Sequence, residues 1–192
     1  GFIRIDTLDR SVFPTEGFRF NGILRSITKN LITDPNMEFK SFKQVSISVA
    51  EYIPIFRKFT LSGSFSGGTS SYQYIPEYYM FYLGGAEQLP APYDTTLFPF
   101  LGRNLMEIGG PHAIASRIGI RYEFQRDKYL ILRANRGKVS NNIEDIFTKT
   151  DLMTGAGLTA AMLSPIGPME YTLMWESEKD ELITYLNIGF IF

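Results

Sequence analysis

The stretch Ile114-Ala115-Ser116-Arg117-Ile118-Gly119-Ile120-Arg121-Tyr122-Glu123-Phe124 decides how this chain folds. Ile114, Ile118, Ile120, Tyr122 and Phe124 fall on one side of an extended backbone, and Arg117, Gly119, Arg121 and Glu123 on the other. A period of two belongs to a β-strand, because successive side chains leave a strand on opposite faces. The pattern recurs outward from here. Phe18, Phe20, Gly22 and Leu24 oppose Arg19, Asn21 and Arg25, and Val45, Ile47 and Val49 oppose Ser46 and Ser48. Phe59, Leu61, Gly63 and Phe65 oppose Thr60, Ser62, Ser64 and Ser66. Leu130, Leu132 and Ala134 oppose Arg133 and Asn135, and Met169, Tyr171, Leu173 and Trp175 oppose Glu170, Thr172 and Glu176. Leu186, Ile188, Phe190 and Phe192 alternate with Tyr185, Asn187, Gly189 and Ile191.

Composition narrows the class. The 192 residues suit one domain, spanning 1–192, and 44% hydrophobic against 20% charged residues excludes a disordered chain. Sixteen Phe and eleven Tyr raise the aromatic share to 15%, which favours strands and membrane interfaces. A net charge of -1 leaves no electrostatic footprint for nucleic acid. Cysteine is absent, which removes disulfides and thiol chemistry. No run approaches the roughly 20 apolar residues of a membrane helix.

Alternation alone fits a soluble sandwich or barrel, with apolar residues inward, as well as a membrane barrel, with apolar residues toward lipid. Three features lean toward lipid. Several segments reach the roughly 9–11 residues that cross a bilayer at a tilt. Tight turns at Pro14-Thr15-Glu16-Gly17, Ile53-Pro54-Ile55, Gln125-Arg126-Asp127 and Pro165-Ile166-Gly167-Pro168 alternate with long links near 30–40, 72–110 and 138–151, the asymmetry of periplasmic turns and extracellular loops. The chain also runs to Phe192 with apolar residues at every second position before it. Predicted strands are 2–7, 17–29, 40–53, 58–70, 111–124, 128–138, 152–163, 169–177 and 182–192. Since a hairpin barrel needs an even number, either the short 2–7 is no membrane strand and eight strands close, or an upstream strand is missing. The expectation is an all-β, antiparallel transmembrane β-barrel of about eight strands. Its enclosed arginines, Arg19, Arg25, Arg117, Arg121 and Arg133, would need Glu123, Glu170, Glu176 or water as partners.

Four motifs resemble the BamA-like bacterial surface-antigen superfamily. Thr7-Leu8-Asp9-Arg10-Ser11-Val12-Phe13-Pro14-Thr15-Glu16-Gly17 is similar to its "LDRxxFPTxG" periplasmic turn, and Phe81-Tyr82-Leu83-Gly84-Gly85 to the "FYxGG" start of a loop that folds back into the barrel. Met162-Leu163-Ser164-Pro165-Ile166-Gly167-Pro168 resembles its "SPxGP" turn, and Leu186-Asn187-Ile188-Gly189-Phe190 its last strand. The resemblance implies the C-terminal half of a longer, typically sixteen-stranded barrel in the bacterial outer membrane. It also implies a lumen-folded loop carrying Phe81, Gly84, Gly85 and Arg103, facing a lumenal polar cluster of Arg117, Arg121, Glu123 and Arg133. Two departures accompany it: there is no room for periplasmic POTRA domains, and the family's Val-Arg-Gly-Phe or -Tyr tip is replaced by Ala86-Glu87-Gln88-Leu89-Pro90. Phe100-Leu101-Gly102-Arg103-Asn104-Leu105-Met106-Glu107 looks more like barrels fused to patatin-like lipases of the Bacteroidetes type, and truncated barrel-only members match in size.

Sites of chemistry are scarce. His112, the one histidine, cannot make a metal site without suitably spaced carboxylates. Gly63-Ser64-Phe65-Ser66-Gly67 puts Phe where a nucleophile elbow needs Ser, and reads as a slim strand leaving room for an inserted loop. Gly84-Gly85 is either an ordinary bend or part of a loop docked in the lumen. The aromatic run Tyr72–Tyr82 reads as an outer-rim girdle, with a stacking surface for sugars or lipid headgroups as the sharper alternative. Glu176-Ser177-Glu178-Lys179-Asp180-Glu181 reads as a solvated hairpin tip. The expected function is a non-enzymatic barrel that anchors, docks, assembles or translocates, with no metal and no cofactor. Its expected partners are outer-membrane lipid, a second copy in a homodimer or other outer-membrane proteins, and no nucleic acid. The alternatives are the membrane domain of a patatin-like phospholipase lacking its catalytic region, and a soluble lipocalin-like carrier.

Overall fold

The computed structural model describes residues 1–28, 40–86, 96–148 and 150–189. Within them run β1 (Phe2–Asp6), β2 (Gly17–Ile27), β3 (Phe42–Phe56), β4 (Phe59–Ser70), β5 (Phe81–Leu83) and β6 (Leu97–Phe98). They continue with β7 (Ile108–Gly110), β8 (His112–Gln125), β9 (Lys128–Ser140), β10 (Met153–Ser164), β11 (Gly167–Glu176) and β12 (Leu182–Ile188). Nine of these form one sheet in the order β1-β2-β3-β4-β8-β9-β10-β11-β12, every neighbour antiparallel. Antiparallel order along the chain follows from the turns, since two-residue connections at Arg57-Lys58 and Arg126-Asp127 can only reverse a strand.

Register carries the alternation from strand to strand. Ser48 lies opposite Ser66, Ser64 opposite Arg117, and Arg117 opposite Asn135, so polar residues share one face across four strands. The other face is apolar and bare: Ile118 is 67% exposed, Leu132 56% and Leu24 55%. Meanwhile Thr159, Thr172 and Glu176 are fully buried. This inverts the arrangement of a water-soluble sheet. A contiguous band of exposed Ile, Leu and Phe finds its matching solvent in hydrocarbon.

The inner face is covered from both ends. The connection between β4 and β8 folds back over it as a three-stranded sheet in the order β6-β5-β7, its β5–β6 pair parallel. Phe81, Leu83, Phe98 and Phe100 from this segment pack on Ala113 and Ala115 of β8 and Met153 of β10. Small wall residues make the space. From the short-turn end, residues 7–16 also tuck inward, and Phe13 packs with Tyr129, Ile131 and Ala161.

Several expectations are revised. The sheet has nine strands rather than about eight, because β1, short as it is, pairs with β2 over all five residues. Among the described residues β1 and β12 do not pair with each other, so the sheet is open. The turn predicted at Ile53-Pro54-Ile55 is strand: β3 continues to Phe56 and reverses at Arg57-Lys58. The ladder tolerates Pro54 because a register shift between Pro54 and Phe56 relieves the missing N–H. The 72–110 link holds β5 to β7, which are too short to show a period. Most of the 30–40 link, Glu87–Pro90 and the last strand's 190–192 lie outside the described residues.

Candidate functional site

The site is the inner face of β8 to β11 and the described parts of the segment docked on it, residues 81–86 and 96–110. Gly84 and Gly102 allow the segment its path. Gly84 has φ +153, and a Cβ there would collide with the carbonyl oxygen of Asn104. Gly102 has φ +86 and lies against Glu176 and the Trp175 backbone, where any side chain would push the segment off β11. Gly85 ties the segment to itself: its N–H donates to the Arg103 carbonyl at 3.0 Å, and its carbonyl accepts from the Phe100 N–H at 2.9 Å. Thus Phe81, Gly84, Gly85 and Arg103, named from the sequence as one loop, are placed together on the inner face.

Arg103 clamps the segment to the wall. Its guanidinium, 7% exposed, meets the wholly buried Glu176 of β11 at 2.8 Å, Glu107 at 3.2 Å and Glu178 at 2.5 Å. Glu107 in turn holds Lys179 and accepts from the backbone and side-chain N–H groups of Asn104. Burial opposes ionisation of Glu107. Hydrogen bonds from Lys179, the Asn104 N–H and Arg103 outweigh it and hold the carboxyl down at about 2. The sequence run 176–181 therefore supplies clamp partners as well as a hairpin tip. Further along, the Leu101 N–H donates to the side-chain oxygen of Asn135 at 3.0 Å, and Ala86, Leu101 and Met174 form a small apolar contact.

Arg117, Arg121, Glu123 and Arg133 share the inner face of β8 and β9, and each reaches a different partner. Arg117 donates to the Ala86 carbonyl at 3.0 Å, so it too holds the docked segment. Arg121 bridges Thr60 on β4 and Thr15 on the inward turn, 3.1 and 3.2 Å away, with its guanidinium 5.1 Å from the Tyr129 ring centre. Arg133 donates to Thr159, which hydrogen-bonds Thr172. Glu123 sits at the short-turn end and accepts from the Asp127 N–H. The expected pairing of wall arginines with Glu176 is replaced by the Arg103 clamp, because the docked segment brings its own cation to that carboxylate.

Sequence reasoning missed Glu107, Asn135 and the inward turn. In that turn Phe13, at φ +49, contacts Tyr129 with ring centres 4.8 Å apart. Asp9 braces it. Burial disfavours the charged carboxylate, but N–H groups of Glu16 and Thr15 and the nearby Arg10 lower its pKa below the ordinary value. The aromatic run is also placed differently from a girdle: Tyr72, Tyr79 and Met80 pack with Ile75 on the inward-pointing Ile27 and Phe42. Tyr74 and Tyr78 remain exposed. At the short-turn end Phe59 meets Phe56 and Tyr122. His112 contacts Thr69 through Nδ1 at 2.8 Å.

The family model described as the OMP85 superfamily matches residues 1–192. No curated protein matches the chain. Among solved structures it is similar to BamA from Haemophilus ducreyi lacking POTRA domains 1-3, at a TM-score of 0.69 and 16% identity. That likeness covers 96% of this chain and 40% of the BamA chain. At such identity it speaks for the fold, and the chain spans well under half of that protein's length. The soluble carrier reading fails on the same evidence, because the exposed apolar face is the face a bacterial outer membrane requires. With the family match running the length of an inside-out antiparallel sheet, the chain belongs to the OMP85 superfamily of bacterial outer-membrane β-barrel proteins.

Proposed function

We propose that this chain is a non-enzymatic section of outer-membrane barrel wall that docks or helps assemble other outer-membrane proteins at its sheet edges. The observation that carries this reading is the pairing pattern: among the described residues β1 and β12 each have one strand neighbour. In hydrocarbon every backbone N–H and C=O left without a partner costs several kcal/mol, so each edge has to meet another strand, of this polypeptide or of another. A strand edge is also a recognition surface, offering main-chain hydrogen bonds to an added strand. The clamped residues 81–86 and 96–107 cover the inner face, which argues against a wide central channel as the working part.

The absence of native cysteine makes the test clean. Single variants Ile3→Cys on β1, Leu186→Cys on β12 and, as a mid-sheet control, Ile118→Cys would carry a photoactivatable benzophenone in intact outer membranes. Adducts to a second outer-membrane polypeptide are expected at the two edges and not at position 118. If the double variant Ile3→Cys/Leu186→Cys closed into an intramolecular disulfide, with no edge adducts, the docking role would be lost.

A further inference from the structure

The tight turns at the short-turn end gather charge in a way the barrel wall does not need. The β3–β4 turn is Arg57-Lys58 and the β8–β9 turn is Arg126-Asp127, with Lys128 following. Pairing of β4 with β8 sets these turns side by side, since Phe59 lies opposite Tyr122 and the Glu123 N–H donates to the Lys58 carbonyl at 2.9 Å. Between them lies a shallow, solvent-open cleft of about 340 Å³ lined by Arg57, Lys58, Glu123, Gln125 and Arg126. Four cations, Arg57, Lys58, Arg126 and Lys128, stand against two carboxylates, Glu123 and Asp127. Of those carboxylates, Glu123 already accepts from the Asp127 N–H, and Asp127 stands 3.7 Å from Arg126. Arg126 is 94% exposed, and Arg57 and Lys58 are exposed as well.

The surface just beyond the cleft is what lipid chains need. Ile53, Ile55, Phe56 and Phe124 are exposed on the ends of the same strands, and Phe56 meets Phe59 edge-on. Short turns mark the periplasmic side of an outer-membrane barrel, so this end meets the inner, phospholipid leaflet. A basic cleft whose rim is aromatic and apolar matches an anionic phosphate joined to acyl chains on both counts. A soluble acidic protein would leave the aromatic rim unused.

We propose that the cleft between turns 57–58 and 126–127 binds the phosphate headgroup of an anionic phospholipid of the inner leaflet. The acyl chains lie along Phe56 and Phe124 while Arg57, Lys58 and Arg126 surround the phosphate. Binding orients this sector of the wall at a fixed depth in the membrane.

The test is a native mass-spectrometric titration of the folded full chain in detergent with phosphatidylglycerol, and with phosphatidylcholine for comparison. Phosphatidylglycerol is expected to be retained preferentially. Arg57→Gln/Lys58→Gln/Arg126→Gln should lose that preference by about fivefold per cation removed, the ratio that corresponds to ~1 kcal/mol for a basic residue near an anionic membrane surface. Lys43→Gln, far from the cleft, should keep it. Arg126→Gln alone removes a side chain that is 94% exposed and pairs with its neighbour Asp127, so this variant decides the matter if the triple variant does not fold. Equal retention of both lipids by the parent chain, or an unchanged preference in the folded variants, would overturn the proposal. Competition by inorganic phosphate at the same concentration would overturn it by showing a site for the free ion, and stronger retention of an oligoglutamate peptide would reassign the cleft to an acidic protein. None of these outcomes touches the sheet edges, so the docking role stands or falls separately.

Discussion

Arg103 is the residue on which the docked segment depends. A buried ion pair adds little over an apolar pair, but removing one partner strands the other charge, at about 3–5 kcal/mol. Arg103→Ala leaves Glu176 enclosed and unbalanced, so the variant should lose about that much stability in urea titrations of the refolded chain and expose segment 81–110 to protease. Arg103→Ala/Glu176→Ala should be milder than Arg103→Ala alone. The clamp also responds to acid. The folded pKa of Glu107 is depressed, so its stabilisation is complete above the free value of 4.5 and disappears as the pH falls through about 2. Proteolysis of the segment should therefore rise between those values, and Glu107→Gln should flatten that rise.

What could be read ahead at this scale divides by the distance of the partner. The facing of Arg117, Arg121, Glu123 and Arg133 follows from strand parity, which is local, and the structure places them on the inner face. Their partners do not follow. Ala86, Thr15 and Thr159 reach these side chains only after residues far apart in sequence have docked. Glu107 gave no signal, because a carboxylate in a long link looks solvated until Lys179 and Arg103 surround it.

At the scale of the element, β8 sets the rule for the whole sheet. Ile118 points outward and is 67% exposed, while Arg117 points inward to Ala86. Ile118→Arg should cost about 2–4 kcal/mol near the bilayer midplane. Arg117→Ser, which loses the bond to the Ala86 carbonyl, should be milder; urea unfolding in lipid vesicles ranks the two, and the reverse order would mean that the facing is wrong. The strand spans were legible because period two runs through a good part of most of them. β5 to β7 were not, at two or three residues each, and Pro54 was misleading because a proline inside a strand looks like its end until a bulge absorbs it.

At the scale of the molecule, the two ends of the inner face carry separate packings. The aromatic sheet β5 to β7 fills one end and the Phe13 turn the other. Cutting the Phe13 contact should loosen only the second. Phe13→Ala is expected to cost about 3–5 kcal/mol by creating a cavity against Tyr129, with no change in protease resistance at segment 81–110.

The unbroken up-and-down order of the nine strands has a consequence for direction. Eight reversals separate β1 from β12, so the two outermost strands run the same way. Zipping them together, within one chain or between two related by rotation about the membrane normal, would create a seam unlike every other junction in the sheet, with slanted bonds and weaker pairing. A seam matching the rest demands that the strands inserted between them, whichever polypeptide carries them, come to one, three, five or some other odd tally.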